Sequence, residues 1–205
     1  MATFPRTVSP ESVSALFTPG ALIQKTHTGV QQIRATKAAG WSWTEDFPPL
    51  NSGVNTDMAL YAFILKAHAR GEIHEFTHPL TPGSGRAKNG IGTGTVLVMG
   101  AAQVSDTINV DGFGNNQTDA VVAGDVLKIA GDNAVYMATA NASSDGVGAA
   151  SIEIHMPLRI SPADGASVTL TGVTFRATIP GRAQFPNSQA PVYFAGMSIT
   201  VSEAL

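Results

Sequence analysis

The sequence contains no cysteine, so neither a disulfide framework nor a thiolate metal site can be built from it. Charge is scarce as well: Asp, Glu, Lys and Arg make up 13% of the 205 residues, and the formal net charge is -3. That balance leaves no basic footprint for nucleic acid. No apolar run approaches the ~20 residues of a membrane-spanning helix. The opening residues MATFPRTVSP lack the apolar h-region of an export signal. The expectation is a soluble chain made in a cytoplasm, with no nucleic-acid recognition and no membrane insertion.

What the sequence does have is turn chemistry, with 21 Gly and 12 Pro among abundant Val, Thr and Ala. Many turns and few charges point to a β-rich protein of one domain or two small ones, suited to hiding surface in an assembly. The pattern is clearest over residues 124–170. Ile152, Ile154 and Met156 alternate with Ser151, Glu153 and His155, the period of two that marks a half-buried strand. Val135, Met137 and Thr139 alternate in the same way with Ala134, Tyr136 and Ala138. Between them, Asp145-Gly146 and Gly148 supply the chain reversal, and Ser161-Pro162-Ala163-Asp164-Gly165 supplies a second turn.

From the N-terminus, residues 1–20 read as an extended arm with at most one short strand, because Pro5, Pro10, Pro19 and Gly20 interrupt it. Residues 21–28 and 30–35 read as two strands joined at Gly29, and 41–47 as a strand with Trp41, Trp43, Glu45 and Phe47 on one face. One helix is expected, capped by Asn55 or Thr56, with Asp57 in its first turn and Gly71 just past its end. Its apolar stripe reads as Met58, Tyr61, Leu65 and Ala69, widened by Ala62, Ile64 and His68 and packed on a sheet. Further strands are expected over 73–76, 95–99, 104–110, 125–130, 168–179 and 192–201. The segment 83–94, rich in Gly, Ser, Lys and Asn, marks a domain boundary.

Four groups of residues could carry chemistry. His74-Glu75-Phe76-Thr77-His78 spells HExxH, the zinc-hydrolase signature, which needs both histidines on one helical turn. Here Pro79 follows at once; in an extended chain the two histidine Cα atoms stand about 13 Å apart, too far to share an ion. Gly90, Gly92 and Gly94 precede a β run instead of opening a helix, and neither GKS nor GKT follows, so a flexible hinge is expected over a phosphate loop. Asp106, Asp111, Asp119, Asp125 and Asp132 lack EF-hand spacing and read as turn residues. His27 and His155 fall at alternating strand positions, where a solvent-facing or hydrogen-bonded histidine is the default. No residue is assigned a catalytic, cofactor-binding or metal-ligating role, and neither a cofactor nor an enzyme activity is expected. A zinc hydrolase through His74, Glu75 and His78 is the remote alternative.

The order GDV at Gly124, a DG turn, a strand ending in Pro157-Leu158-Arg159, then Ser161-Pro162-Ala163-Asp164-Gly165 resembles a β module of minor tail proteins of long-tailed bacteriophages. Trp41-Ser42-Trp43, Phe47-Pro48-Pro49-Leu50, Ala69-Arg70-Gly71, Phe76 and Pro79 resemble the amino half of the distal tail proteins among them. The resemblance spans most of residues 40–205; residues 1–20 depart from it. It implies a mainly β fold: a ring-forming β-sandwich or split-barrel domain with one helix (1–82 and 169–205) and an inserted small barrel of the oligonucleotide/oligosaccharide-binding type (83–168). It also implies a structural virion protein at the tail tip, assembled as a homohexameric ring between tail tube protein and tail-tip hub protein, with the tape measure protein a further partner. Glycan binding by the inserted barrel belongs to the same set of expectations. The alternative is another tail component: tube, completion or decoration protein.

Overall fold

The computed structural model describes residues 3–5, 8–18, 20–25, 27, 29, 31–35, 40–51, 53–77, 90–180, 188–190, 193–194 and 196–204. Along the chain the first elements are β1 (Ser12–Thr18), β2 (Ala21–Lys25), β3 (Gln31–Ala35), β4 (Gly40–Phe47), β5 (Leu50–Asn51), helix α1 (Asn55–Arg70) and β6 (His74–Thr77). Then come β7 (Gly94–Val98), β8 (Thr107–Phe113), β9 (Val126–Ile129), β10 (Val135–Met137), β11 (Ala150–Glu153) and β12 (Val168–Thr169). The last are β13 (Thr174–Thr178), β14 (Ser188–Ala190), β15 (Tyr193–Phe194) and β16 (Met197–Glu203). The fold is mainly β with one helix among the described residues, and its strands form several antiparallel sheets. By proximity along the backbone the chain divides into two compact units: Met1–Pro19 with Gly40–Ser84 and Phe175–Leu205, and Gly20–Ala39 with Gly85–Thr174.

The first unit is organised by a five-stranded sheet in the order β1, β4, β16, β13, β6. Strand β4 alternates buried and half-buried at every position, as its period-two sequence requires, with Trp41, Trp43, Glu45 and Phe47 inside. Met197, Ile199 and Val201 of β16 lie on the same buried face, paired antiparallel with β4. The Trp43 ring stands 5.3 Å from Phe175 and 5.8 Å from Phe76, and Phe76 stacks on Phe4 at 4.7 Å. Burying side chains of this size contributes roughly 1.5–3 kcal/mol each. The segment expected to be an extended arm with at most one short strand supplies one strand, β1, which pairs with β4 along its whole length.

Helix α1 ends as expected. Gly71 takes φ 58, and the N–H groups of Gly71 and Glu72 donate to the carbonyls of His68 and Ala67, the double bond that closes a helix on a left-handed residue. Its start and its inner face differ from expectation. The N-cap is Val54, without a side-chain cap, and Asp57 instead accepts the Asn51 N–H at 2.9 Å. The buried residues are Leu60, Ile64 and Ala67, while Leu65 is 37% exposed. Apolar residues stand at 58, 60, 61, 63, 64 and 65. They cover so much of the helix circumference that periodicity alone does not choose a face. Packing chooses it: Phe63 meets Phe4 edge-on at 5.5 Å.

The second unit holds two three-stranded sheets, one in the order β11, β8, β7 and the other β10, β9, β12, together with the β2–β3 hairpin. Single bridges join the two sheets, Ala138 to Ile154 at one seam and Leu97 to Ser167 at the other. Without ladders at these seams, the described strands close no barrel. Ile152, Ile154 and Met156 are buried, as their alternation predicts. In the neighbouring run Ala134, Val135, Tyr136 and Ala138 are all buried, so both faces are covered where β10 begins, while Met137 is half-buried and Thr139 exposed. The single strand expected over 168–179 is broken at Gly172, whose φ of 67 ends β12 before β13 begins.

Candidate functional site

His74 and Glu75 lie in strand β6, where neighbours point to opposite faces. His74 is buried against the Phe63 ring at 4.7 Å, with Nε2 3.4 Å from a carboxylate oxygen of Glu72; Glu75 is half-buried on the other face. A zinc hydrolase needs these residues on a helical turn, with the glutamate aimed at water on the ion. The described part of the motif is extended instead, and His78 lies outside the described residues. Among the described residues no group of three or more His, Asp or Glu side chains is placed to hold a metal ion.

The glycine-rich segment is packed, which corrects the reading of it as a flexible hinge where it is described. The Gly90 N–H donates to Oδ2 of Asp125 at 3.0 Å, and the Gly92 N–H donates to the Ala120 carbonyl at 3.0 Å. A Cβ on Gly92 would lie 2.6 Å from that carbonyl oxygen and 2.7 Å from the Phe113 ring. These glycines are required for close approach of two backbones, a partner that the local sequence does not reveal.

Several of the aspartates accept backbone N–H groups, and some accept side-chain donors as well. Asp125, fully buried, also accepts the Val122 N–H at 3.0 Å, and Asp119, at φ 51, accepts Nδ2 of Asn141 at 3.0 Å. Asp111 is a half-buried residue of β8 and not a turn residue. Asp145 accepts the N–H groups of Ala149 and Val147, which hold its carboxyl below the usual carboxylate range. Asp132 anchors a buried polar arrangement. One of its oxygens takes the Ala134 N–H at 3.0 Å and the other takes the Tyr136 hydroxyl at 2.6 Å; that hydroxyl in turn accepts the Arg159 N–H at 2.9 Å. Burial pushes the Tyr136 hydroxyl pKa up.

His155 is half-buried beside Tyr136, and its Nδ1 accepts the Met137 N–H at 3.0 Å. Burial pushes its pKa down to about 4, so the ring is neutral and serves as an acceptor. His27, expected on a strand, is an exposed turn residue between β2 and β3. In the first unit the fully buried Glu45 accepts Nε1–H of Trp43 at 2.9 Å. Neither the Trp43–Glu45 pair nor the Asp132–Tyr136 pair was expected from sequence. A spacing of two in a strand or four across a tight turn, joining a donor to a carboxylate, is the signal that could have found them. Each of these arrangements lies within one unit.

Compared with family models the chain matches none, and a search of curated proteins finds no match.

Proposed function

We propose that this chain is a structural protein of a long-tailed bacteriophage virion, a distal tail protein whose ring joins the tail tube to the tail tip. One observation supports the reading most. Trp41, Trp43, Phe47 and Phe76, which carry the amino-half resemblance over more than thirty residues of sequence, lie together in the buried core of one sheet. The shared motif is thus a packing unit, as a structural family requires. Low charge and a sheet-based unit suit a subunit whose surface is covered by neighbours. In this reading the partners are further copies in a homohexameric ring, the tail tube protein, the tail-tip hub protein and the tape measure protein, and the second unit faces other tail proteins or a surface glycan.

Negative-stain microscopy of the purified full-length chain tests it. Closed rings of one subunit number are expected. Open stacks would favour a tail tube protein, and a monomer at all concentrations would favour a decoration protein. Elemental analysis separates the remote alternative: one zinc per chain, lost in His78→Ala, would restore a zinc hydrolase.

A further inference from the structure

Strand β6 lies at one end of the five-stranded sheet, with β13 on its inner side. Its four residues alternate: His74 and Phe76 are buried, Glu75 and Thr77 half-buried. A strand at the end of a sheet turns alternate peptide groups outward and is a template for pairing with another chain. Here the chain covers that side itself. Thr3 bridges Glu75 in parallel orientation, and the Phe4 N–H donates to the Glu75 carbonyl at 2.8 Å. A carbonyl that an incoming strand would use is thereby taken. Pro5 comes next and has no N–H, so the cover gives a further strand no donor at that residue.

One ring keys this cover in place. Phe4 is 3% exposed, whereas Thr3 before it is exposed and Pro5 after it half-buried. The Phe4 ring stacks on Phe76 of β6 at 4.7 Å, meets Phe63 of α1 edge-on at 5.5 Å and lies 6.5 Å from Phe47 of β4. A single side chain thus joins the start of the chain to two strands and the helix. We propose that residues 3–5 are an autoinhibitory strap: seated through Phe4, the strap closes the β6 edge, and unseated it leaves an edge that draws chains into strand pairing. Strap and incoming strand compete for the same Glu75 carbonyl, so each excludes the other.

Pairing through uncovered edges grows without limit, whereas a ring closes at one subunit number. The inference therefore does not rest on the ring, and the two fail separately. The test is sedimentation velocity of full-length protein over a range of concentrations. Phe4→Ala removes the key and should put at least about tenfold more mass into species larger than those of the native chain, as an uncovered edge does. The cavity left by the missing ring is a second route to association, and a staple separates the two. The chain has no cysteine, so Thr3→Cys/Glu75→Cys introduces a single pair. Bridged residues on neighbouring strands stand about 5 Å apart, within disulfide reach. In the Phe4→Ala background the oxidised staple holds the strap on the edge without its ring. It should return the large species to within about twofold of the native level, and reduction should release them again. Large species that persist under the oxidised staple assign the association to the cavity and overturn the proposal. A Phe4→Ala chain that sediments like the native one overturns it too, as does a cysteine pair that fails to close within one chain when Phe4 is intact.

Discussion

The Tyr136 hydroxyl donates to a carboxylate oxygen of Asp132 at 2.6 Å, and both side chains are buried. The same hydroxyl accepts the Arg159 N–H, so one phenol oxygen ties the turn before β10 to the segment after β11. Replacing Tyr136 by Phe keeps the ring and removes both bonds, leaving a buried carboxylate oxygen and a backbone N–H unsatisfied. A loss of about 1–3 kcal/mol is expected in urea unfolding. A loss within error of zero would mean that water replaces the hydroxyl.

Helix α1 buries Leu60 and Ile64 completely and leaves Leu65 37% exposed. Leu60→Ala and Ile64→Ala should each cost about 2–5 kcal/mol, as large-to-small core changes do. Leu65→Ala should stay within about 0.5 kcal/mol, as surface changes do. Equal costs at 60 and 65 would contradict the helix orientation.

Gly92→Ala tests whether the glycine segment is packed or free. The added methyl would meet the Ala120 carbonyl oxygen at 2.6 Å, and backbone cannot rotate away as a side-chain tip can. A loss of about 1–3 kcal/mol is expected, the usual range for overpacking. Unchanged or raised stability would point to a hinge.

These contrasts show what was legible and why. The buried face of β4 could be read because Trp41, Trp43, Glu45 and Phe47 leave one face for the core and only small polar residues for the other. Gly71 could be read because a left-handed helix end needs glycine. The helix face could not, since Leu60 and Leu65 are equally apolar and the choice between them is made by tertiary contacts such as Phe63 with Phe4 and with His74. The burial of Tyr136 in β10, beside the equally buried Val135, was hidden because its hydroxyl is polar until Asp132 satisfies it. The packing of Gly92 depends on Ala120 and Phe113, residues remote in sequence. Among the candidate site residues, the extended state of His74 and Glu75 followed from the neighbouring Gly71 and Pro79. The buried Trp43–Glu45 pair did not, because a strand glutamate normally faces water.

His155 gives a pH dependence whose sign can be worked out. In the unfolded chain its pKa is 6.5, and in the fold burial pushes it down to about 4. Between these values the unfolded chain binds the proton and the folded chain does not, so the unfolded state is favoured as pH falls. Stability contributed by the neutral buried ring is therefore full above about pH 6.5, declines as pH drops through the window, and is gone below about pH 4. Because the ring is only half-buried, solvent screening limits the change to about 1–2 kcal/mol. Urea midpoints measured at pH 7 and pH 4.5 should thus fall in the native chain and fall less in His155→Gln, which cannot protonate and whose amide oxygen can still accept the Met137 N–H. An identical fall in both proteins would assign the pH dependence to carboxylates such as Asp145 and Asp46, whose depressed pKa values also remove stability as pH drops into the acid range.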